Sequence, residues 1–212
     1  MCWNEHVSLN TFLVSFLTLC LVYYNNHYTK YKIPNFENEW MYVFLLFAFS
    51  MQLIEFFIWR NITNKFYNSI FTMSAFILIF LQPIASLMLL SNLVLRNVLL
   101  TIYTLFGGIY VAYIIYTKKL LSTVSKSGHL DWNMHNNNIY FCIWLIFLLF
   151  SFFFGNHFTY LLFGVISLSI FVYKENSSSG SVWCWFINSI SIYLLIYLLF
   201  YLPYCEKRSL KC

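Results

Sequence analysis

Long runs of apolar residues separated by short polar segments form the main pattern along this chain. A run of about 20 apolar residues is long enough to cross the hydrocarbon core of a bilayer as an α-helix. The runs predict helices at residues 7–24, 40–59, 66–90, 94–116, 139–154, 158–173 and 181–201. The pattern therefore predicts an all-α fold: one polytopic membrane bundle of about seven transmembrane helices, with a basic tail at residues 202–212.

The composition also indicates a membrane protein with little room for a separate soluble domain. Hydrophobic residues make up 61% of the 212 residues and charged residues 9%, whereas soluble domains carry about 25% charged residues. Aromatic residues reach 23%, which we attribute to AT-rich coding rather than to a ligand cage. The net charge of +5 is spread over short loops and the tail, which favours an anionic lipid surface over nucleic acid as a partner.

The orientation in the membrane depends on weak signals. With seven helices, the basic residues divide equally between the two sides, so the positive-inside rule gives no preference. Two N-x-[ST] sequons, at Asn61 and Asn176, lie in loops on the N-terminal side. Glycosylation at either asparagine would place the N-terminus outside the cell or in a lumen, and we adopt that orientation as an expectation.

Glu55 is the only charged residue in the interior of a predicted span. A carboxylate in hydrocarbon is costly unless it is protonated, paired or in contact with water. Gln52 lies one helical turn before it and Trp59 one turn after it, on the same face. We expect this face to point into the bundle, where Gln82 or Asn188 could hydrogen-bond a protonated Glu55.

Other spans also carry polar residues on one face. Pro83 removes a helical hydrogen bond and predicts a kink near residues 78–82. The fourth span has a stripe of Asn97, Thr101, Thr104 and Gly108, which we expect to face inward. The predicted buried polar cluster comprises Glu55, Gln52, Trp59, Gln82, Pro83, Ser86, Asn188, Cys184 and Trp183.

The sequence contains no recognisable catalytic or metal-binding motif. All five histidines lie in tails or loops, and His129, Asp131 and His135 have ligand-like spacing in a polar loop that we expect to be solvated. A G-x-S-x-G elbow and a phosphate-binding glycine loop are both absent. We therefore expect no metal and no cofactor, and we rank an enzyme below other functions.

Three motifs resemble those of a known group of proteins. The segments MQLIEFFIWRN, LQPIAS and GSVWCW, in this order and spacing, resemble an uncharacterised polytopic membrane protein family of large DNA viruses of protists. The AT-rich residue usage is similar as well. The resemblance implies a viral origin and a membrane architecture but no particular chemistry.

Two functions remain open at this point. The first is a small carrier or channel-like protein whose polar cavity is lined by Glu55 and Gln82 and accepts a small solute, a proton or a lipid. The alternative is a structural or lipid-interacting protein of a viral or host membrane, in which Glu55 fastens the bundle. An intramembrane lipid enzyme with Glu55 as general acid or base ranks third. Apart from the lipid bilayer, the sequence indicates no definite partner and no oligomeric state.

Overall fold

The computed structural model describes residues 4–118, 120–132, 138–154, 164–170, 173 and 179–208. The first four helices are α1 (Glu5–Tyr28), α2 (Trp40–Arg60), α3 (Lys65–Leu87) and α4 (Leu93–Thr117), with a 3₁₀ turn at Pro34–Phe36 before α2. Strands β1 (Thr123–Val124) and β2 (Leu130–Asp131) form an antiparallel hairpin after α4. The remaining elements are α5 (Asn138–Phe154), α6 (residues 164–170), α7 (Ser179–Ile187), α8 (Ser189–Ile196), a π-helical segment (Tyr197–Tyr201) and α9 (Leu202–Lys207).

Asparagine side chains start three of the four long helices. Asn4 Oδ1 accepts from the backbone N–H of Val7 at 2.9 Å, and Asn92 Oδ1 accepts from that of Leu95 at 3.1 Å. Asn64 caps α3 in the same way. Each cap satisfies a backbone donor that the first turn of a helix leaves free, so the short asparagine-containing loops fix where these helices begin.

Five helices in the described part of the chain are long and apolar enough to cross a membrane. They are α1, α2, α3, α4 and the run Gly180–Lys207, which α7, α8, the π-helical segment and α9 form together. The predicted span at 139–154 forms α5, whose apolar part, Tyr140–Phe154, covers at 1.5 Å per residue only about 22 Å of a ~30 Å hydrocarbon core. The predicted span at 158–173 lies partly outside the described residues. Seven spans are therefore corrected to about five. By helix length and composition the chain is an all-α, multi-pass membrane protein.

Pro83 organises the contacts of α3 with its neighbours. A proline has no backbone N–H, so the carbonyl of Ile79, four residues earlier, has no helical donor. Trp144 Nε1 on α5 donates to that carbonyl at 2.8 Å. One residue further on, Tyr103 on α4 donates through its hydroxyl to the carbonyl of Phe80 at 3.1 Å. The turn of α3 that precedes Pro83 thereby binds both neighbouring helices, and the predicted kink at residues 78–82 stays a prediction.

The hairpin between α4 and α5 is folded against the bundle, contrary to the expected solvated loop. Asn68 on α3 accepts from the backbone N–H of Ser122 at 2.9 Å and donates to the carbonyl of Ser122 at 3.0 Å. Thr72 Oγ1 lies 2.7 Å from Ser122 Oγ. Leu130 is 0% exposed and Trp132 is buried beside it, so the hairpin covers the end of the bundle where α3 begins.

The opposite end is joined by polar contacts at the surface. Lys30 and Tyr31, which follow α1, both donate to the carboxylate of Glu206 on α9. The hydrogen bond to Glu206 raises the pKa of both the Lys30 ammonium and the Tyr31 phenol. The first residues of the predicted basic tail form α9, which ends at Lys207. The contact with Lys30 and Tyr31 holds this helix against the end of α1.

We predict that Asn68→Ala loosens the hairpin. The substitution removes both bonds to the backbone of Ser122, and an interaction of this kind contributes about 1–2 kcal/mol. Trypsin cleavage after Lys126, in the hairpin turn, should accelerate about tenfold if cleavage follows local opening. Ser74→Ala is the matched control, because the Ser74 hydroxyl bonds only to Ile70 of its own helix. Equal cleavage rates in the two variants would contradict the proposed anchoring.

We also predict that Trp144 and Pro83 are energetically coupled. Trp144→Phe should cost about 1–3 kcal/mol, because it leaves the carbonyl of Ile79 without a donor. In a Pro83→Ala background the restored backbone N–H can occupy that carbonyl, so the same substitution should cost at least about 1 kcal/mol less. Thermal unfolding of the four proteins in detergent measures the difference, and equal costs in both backgrounds would show that the bond is unimportant.

Candidate functional site

Glu55 and Gln52 form a buried polar pair on α2. Both side chains are 0% exposed, and Gln52 Nε2 donates to Glu55 Oε2 over 2.8 Å. Residues three apart in an α-helix share a face, so one helix brings the two groups together. The face that the sequence predicted to point inward is thus the buried face, and Gln52 of the same helix donates to Glu55. The expected bond from Gln82 or Asn188 to Glu55 stays a prediction.

Apolar side chains surround this pair. Met51 and Ile58 on α2 are 0% exposed and belong to one hydrophobic cluster with Leu78 of α3 and Cys184 of α7. A charge in such surroundings carries a desolvation cost of several kcal/mol, so the amide of Gln52 stabilises the carboxyl group where neither water nor lipid reaches it.

The same face of α2 retains unused hydrogen-bonding capacity. Gln52 Oε1 and Trp59 Nε1 are buried and have no hydrogen-bond partner within the described ranges. Buried polar atoms of this kind are uncommon in folded proteins. A further polar group that enters this part of the bundle can form hydrogen bonds with these atoms, so its desolvation there costs the least free energy.

Two cavities lie against Gln82 of α3. Their volumes are about 50 and 60 Å³, and Gln82, Trp183 and Cys184 belong to the walls of both. Each volume is several times the ~10–15 Å³ that holds one water. The second cavity is lined by six aromatic side chains, namely Phe76, Trp132, Tyr140, Phe141, Trp144 and Trp183. Glu55 lines neither cavity, so the expected polar cavity shared by Glu55 and Gln82 is replaced by apolar chambers with one amide.

Hydrogen bonds and a ring contact hold the wall that the two cavities share. Trp183 Nε1 donates to Ser167 Oγ at 3.0 Å, which ties α7 to α6. The Trp183 ring stands edge-on to Trp144, with the ring centroids 6.0 Å apart. Trp144 is itself bonded to the carbonyl that Pro83 leaves free. The wall of the chambers is therefore continuous with the turn of α3 that precedes Pro83.

The other members of the predicted cluster serve separate contacts. Ser86 Oγ lies 2.5 Å from the carbonyl of Leu148 and 2.5 Å from Ser151 Oγ, which joins α3 to α5. Asn188 lies between α7 and α8, where its Nδ2 donates to the carbonyl of Cys184 at 2.7 Å. The predicted single cluster is thus divided among the α2 pair, the chambers at Gln82, the α3–α5 seam and the α7–α8 junction.

The stripe on α4 faces away from the bundle. Thr101 and Thr104 are exposed, and their hydroxyls bond to the carbonyls of Asn97 and Leu100 on the same helix. Because these hydroxyls are satisfied locally, they can face lipid at low cost. The expectation of an inward stripe is wrong.

Sequence reasoning also missed two functional contacts. Trp144 lies within an apolar span, and nothing in its sequence context indicated a polar contact. A tryptophan N–H can, however, donate to the backbone carbonyl that a proline in a neighbouring helix leaves without a donor. Asn68 and Thr72 stand four residues apart in the third span, and this spacing was the available signal for a polar anchor.

The remaining candidates gain no chemical role. No group of three or more His, Cys, Asp or Glu side chains that could hold a metal ion occurs in the portion of the chain that the structure describes, and His135 lies outside that portion. Asn61 ends α2, with its Nδ2 donating to the carbonyl of Phe57 at 2.8 Å. Asn176 lies outside the described residues, so its glycosylation stays a prediction.

Comparison with known proteins adds no relative. No protein-family model, curated protein or solved structure matches the chain. The resemblance to a polytopic viral family stays a prediction, and neither a viral origin nor glycosylation gains support. What the sequence and the fold show is a multi-pass helical membrane protein.

We predict that Gln52 and Glu55 are coupled in stability. Gln52→Leu and Glu55→Leu should each cost about 1–3 kcal/mol, because each leaves a buried polar partner without its bond. The double variant should cost at least about 1 kcal/mol less than the two single costs together, since no orphaned group remains. Thermal unfolding of the purified proteins gives all four values. Strict additivity would mean that the two side chains do not stabilise each other.

Proposed function

We propose that the protein is a small carrier-like membrane protein that binds a mostly apolar solute beside Gln82. The observation that supports this proposal is the pair of cavities whose walls share Gln82, Trp183 and Cys184. Apolar and aromatic walls with very few polar groups are typical of small-molecule sites. Because each volume is below the ~150 Å³ of a cavity that holds benzene, an aromatic solute must span both chambers, which adjoin at Gln82, Trp183 and Cys184. Because a carboxamide both donates and accepts, the solute should carry at least one hydrogen-bonding group.

The position of the cavities on α3 suits a carrier. Gln82 directly precedes Pro83, where the helix lacks one backbone hydrogen bond and bends at lower cost than a regular helix. A bend at this turn would move Gln82 and change both chambers. Trp132, on the segment after β2, forms part of one wall, so access from that end of the bundle requires the hairpin to move.

A structural role is the second candidate, and the buried pair on α2 favours it. Glu55 lines neither cavity and takes its hydrogen bond from Gln52 of the same helix. Full burial away from both cavities suits a group that keeps the polar face of α2 inside the bundle better than one that contacts a solute. In this account Glu55 maintains the bundle while Gln82 contacts the ligand, and both roles coexist in one protein.

Binding of two small aromatic molecules tests the proposal. We predict saturable binding of a fluorinated phenol and of fluorobenzene to the protein in nanodiscs, followed by fluorine NMR. Gln82→Leu should weaken phenol binding about tenfold, because the hydroxyl loses its partner, and should leave fluorobenzene binding unchanged. Gln52→Leu is the matched control, since it makes the same change at a buried position outside both cavities. The absence of saturable binding would overturn the proposal.

We predict the opposite pattern for Glu55→Gln. The melting temperature should fall, because the amide brings two N–H donors into a fully buried site that now holds a carboxyl group, which carries at most one. Phenol binding should stay within about twofold of the unaltered protein, since Glu55 does not line the chambers. Fluorine NMR and thermal unfolding of the same sample give both values. Loss of phenol binding with an unchanged melting temperature would instead assign Glu55 to the solute site.

A further inference from the structure

The final membrane helix is interrupted at Asn188. Helix α7 ends at Ile187 and α8 begins at Ser189. The backbone N–H of Asn188 donates to the carbonyl of Trp185 at 3.1 Å, and that of Ser191 donates to the carbonyl of Asn188 at 2.9 Å. These are tight three-residue connections in place of the regular four-residue ladder. Interrupted membrane helices expose polar backbone and side chains where they border a cavity.

A groove of about 260 Å³ lies beside this interruption, between α1 and the final helix. It is several times larger than either chamber at Gln82. Its walls carry mostly small polar side chains, and its lining consists of Asn10, Thr11, Val14, Ser15, Trp185, Asn188, Ser189, Ser191 and Ile192. At 1.5 Å per residue, Asn188 lies about 12 Å from Gly180, the first residue of the span Gly180–Lys207.

Three buried residues behind the surface of this groove, Ser15, Asn188 and Ser191, carry hydrogen-bond acceptors. Asn188 is 3% exposed, and its Nδ2 is committed to the carbonyl of Cys184, which fixes the amide orientation. Asn188 Oδ1 is buried and has no partner among the described residues. Ser15 Oγ donates to Ser191 Oγ at 3.1 Å, and Ser191 Oγ donates to the carbonyl of Asn188 at 2.5 Å. The two serine hydrogens are thus used, and oxygen lone pairs remain.

We propose that this groove binds a neutral hydroxyl group, with Asn188 Oδ1 as its principal acceptor. A buried acceptor without a donor costs about 1–3 kcal/mol, and a hydroxyl supplies that donor. The nine lining residues include no acidic or basic side chain, which disfavours a charged ligand at this depth. The hydroxyl can come from a membrane lipid such as a diacylglycerol or from a small free alcohol. This site goes beyond the proposed function and does not depend on the chambers at Gln82.

Photocrosslinking of the full-length protein in nanodiscs tests this site. The reagent is a diacylglycerol with a diazirine in one acyl chain, compared with the same molecule methylated at its hydroxyl. We expect saturable labelling of residues 10–15 and 185–192, with the methylated analogue about tenfold weaker. Competition by unlabelled diacylglycerol but not by glycerol would identify a lipid as the source, and competition by glycerol would identify a free alcohol.

Three variants, labelled with the same two reagents, test whether the labelling depends on the groove and on Asn188. Asn188→Leu should weaken labelling by the free-hydroxyl reagent about tenfold and remove the difference between the two reagents. Ser189→Phe, which fills the groove without touching the Asn188 bonds, is the second variant and should abolish labelling. Thr101→Val alters an exposed hydroxyl on α4 and serves as the control. Equal labelling by both reagents in the unaltered protein, or labelling that Ser189→Phe does not change, would overturn the proposal.

Discussion

A carboxyl group enclosed by protein inside a membrane bundle is the constraint on which this structure depends. Glu55 is fully buried, and Gln52 supplies a hydrogen bond from the preceding turn of the same helix. Because exposure of that group to lipid tails is costly, α2 has one acceptable rotational setting. Its polar face must lie inside the bundle, where α2 packs against α1, α3 and α7, and Phe57 lies on a different, exposed face.

The same rule, that polar groups in hydrocarbon need partners, explains the other contacts between helices. The carbonyl that Pro83 frees is taken by Trp144, and the end of the bundle is closed where Asn68 holds the backbone of Ser122. These bonds form the walls of the chambers at Gln82, since Trp144 and Trp132 both line one of them. Stability and the candidate binding site are therefore built from the same interactions.

The sequence predicted the long helices because their signal is local. Apolar length alone located α1 to α4 to within a few residues, and the spacing of Gln52 and Glu55 identified the inward face of α2. The remaining errors concern contacts between distant segments. The pairing of Asn68 with Ser122 joins residues 54 positions apart, and no periodicity reveals it. The polar stripe of α4 was predicted to face the bundle because periodicity identifies a polar face but does not indicate what that face contacts. The Thr101 hydroxyl donates to a carbonyl of its own helix, so it needs no partner from another helix.

The most direct test of the central claim is residue-level footprinting of α2 in liposomes with a small lipid-soluble diazirine, read by mass spectrometry. Phe57, which is 37% exposed, should be labelled strongly, and Gln52 and Glu55 should remain unlabelled until the protein is unfolded. Carbenes react readily with carboxyl groups, so the reagent would detect an accessible Glu55. Labelling of Glu55 in the folded protein at the level of Phe57 would contradict the account.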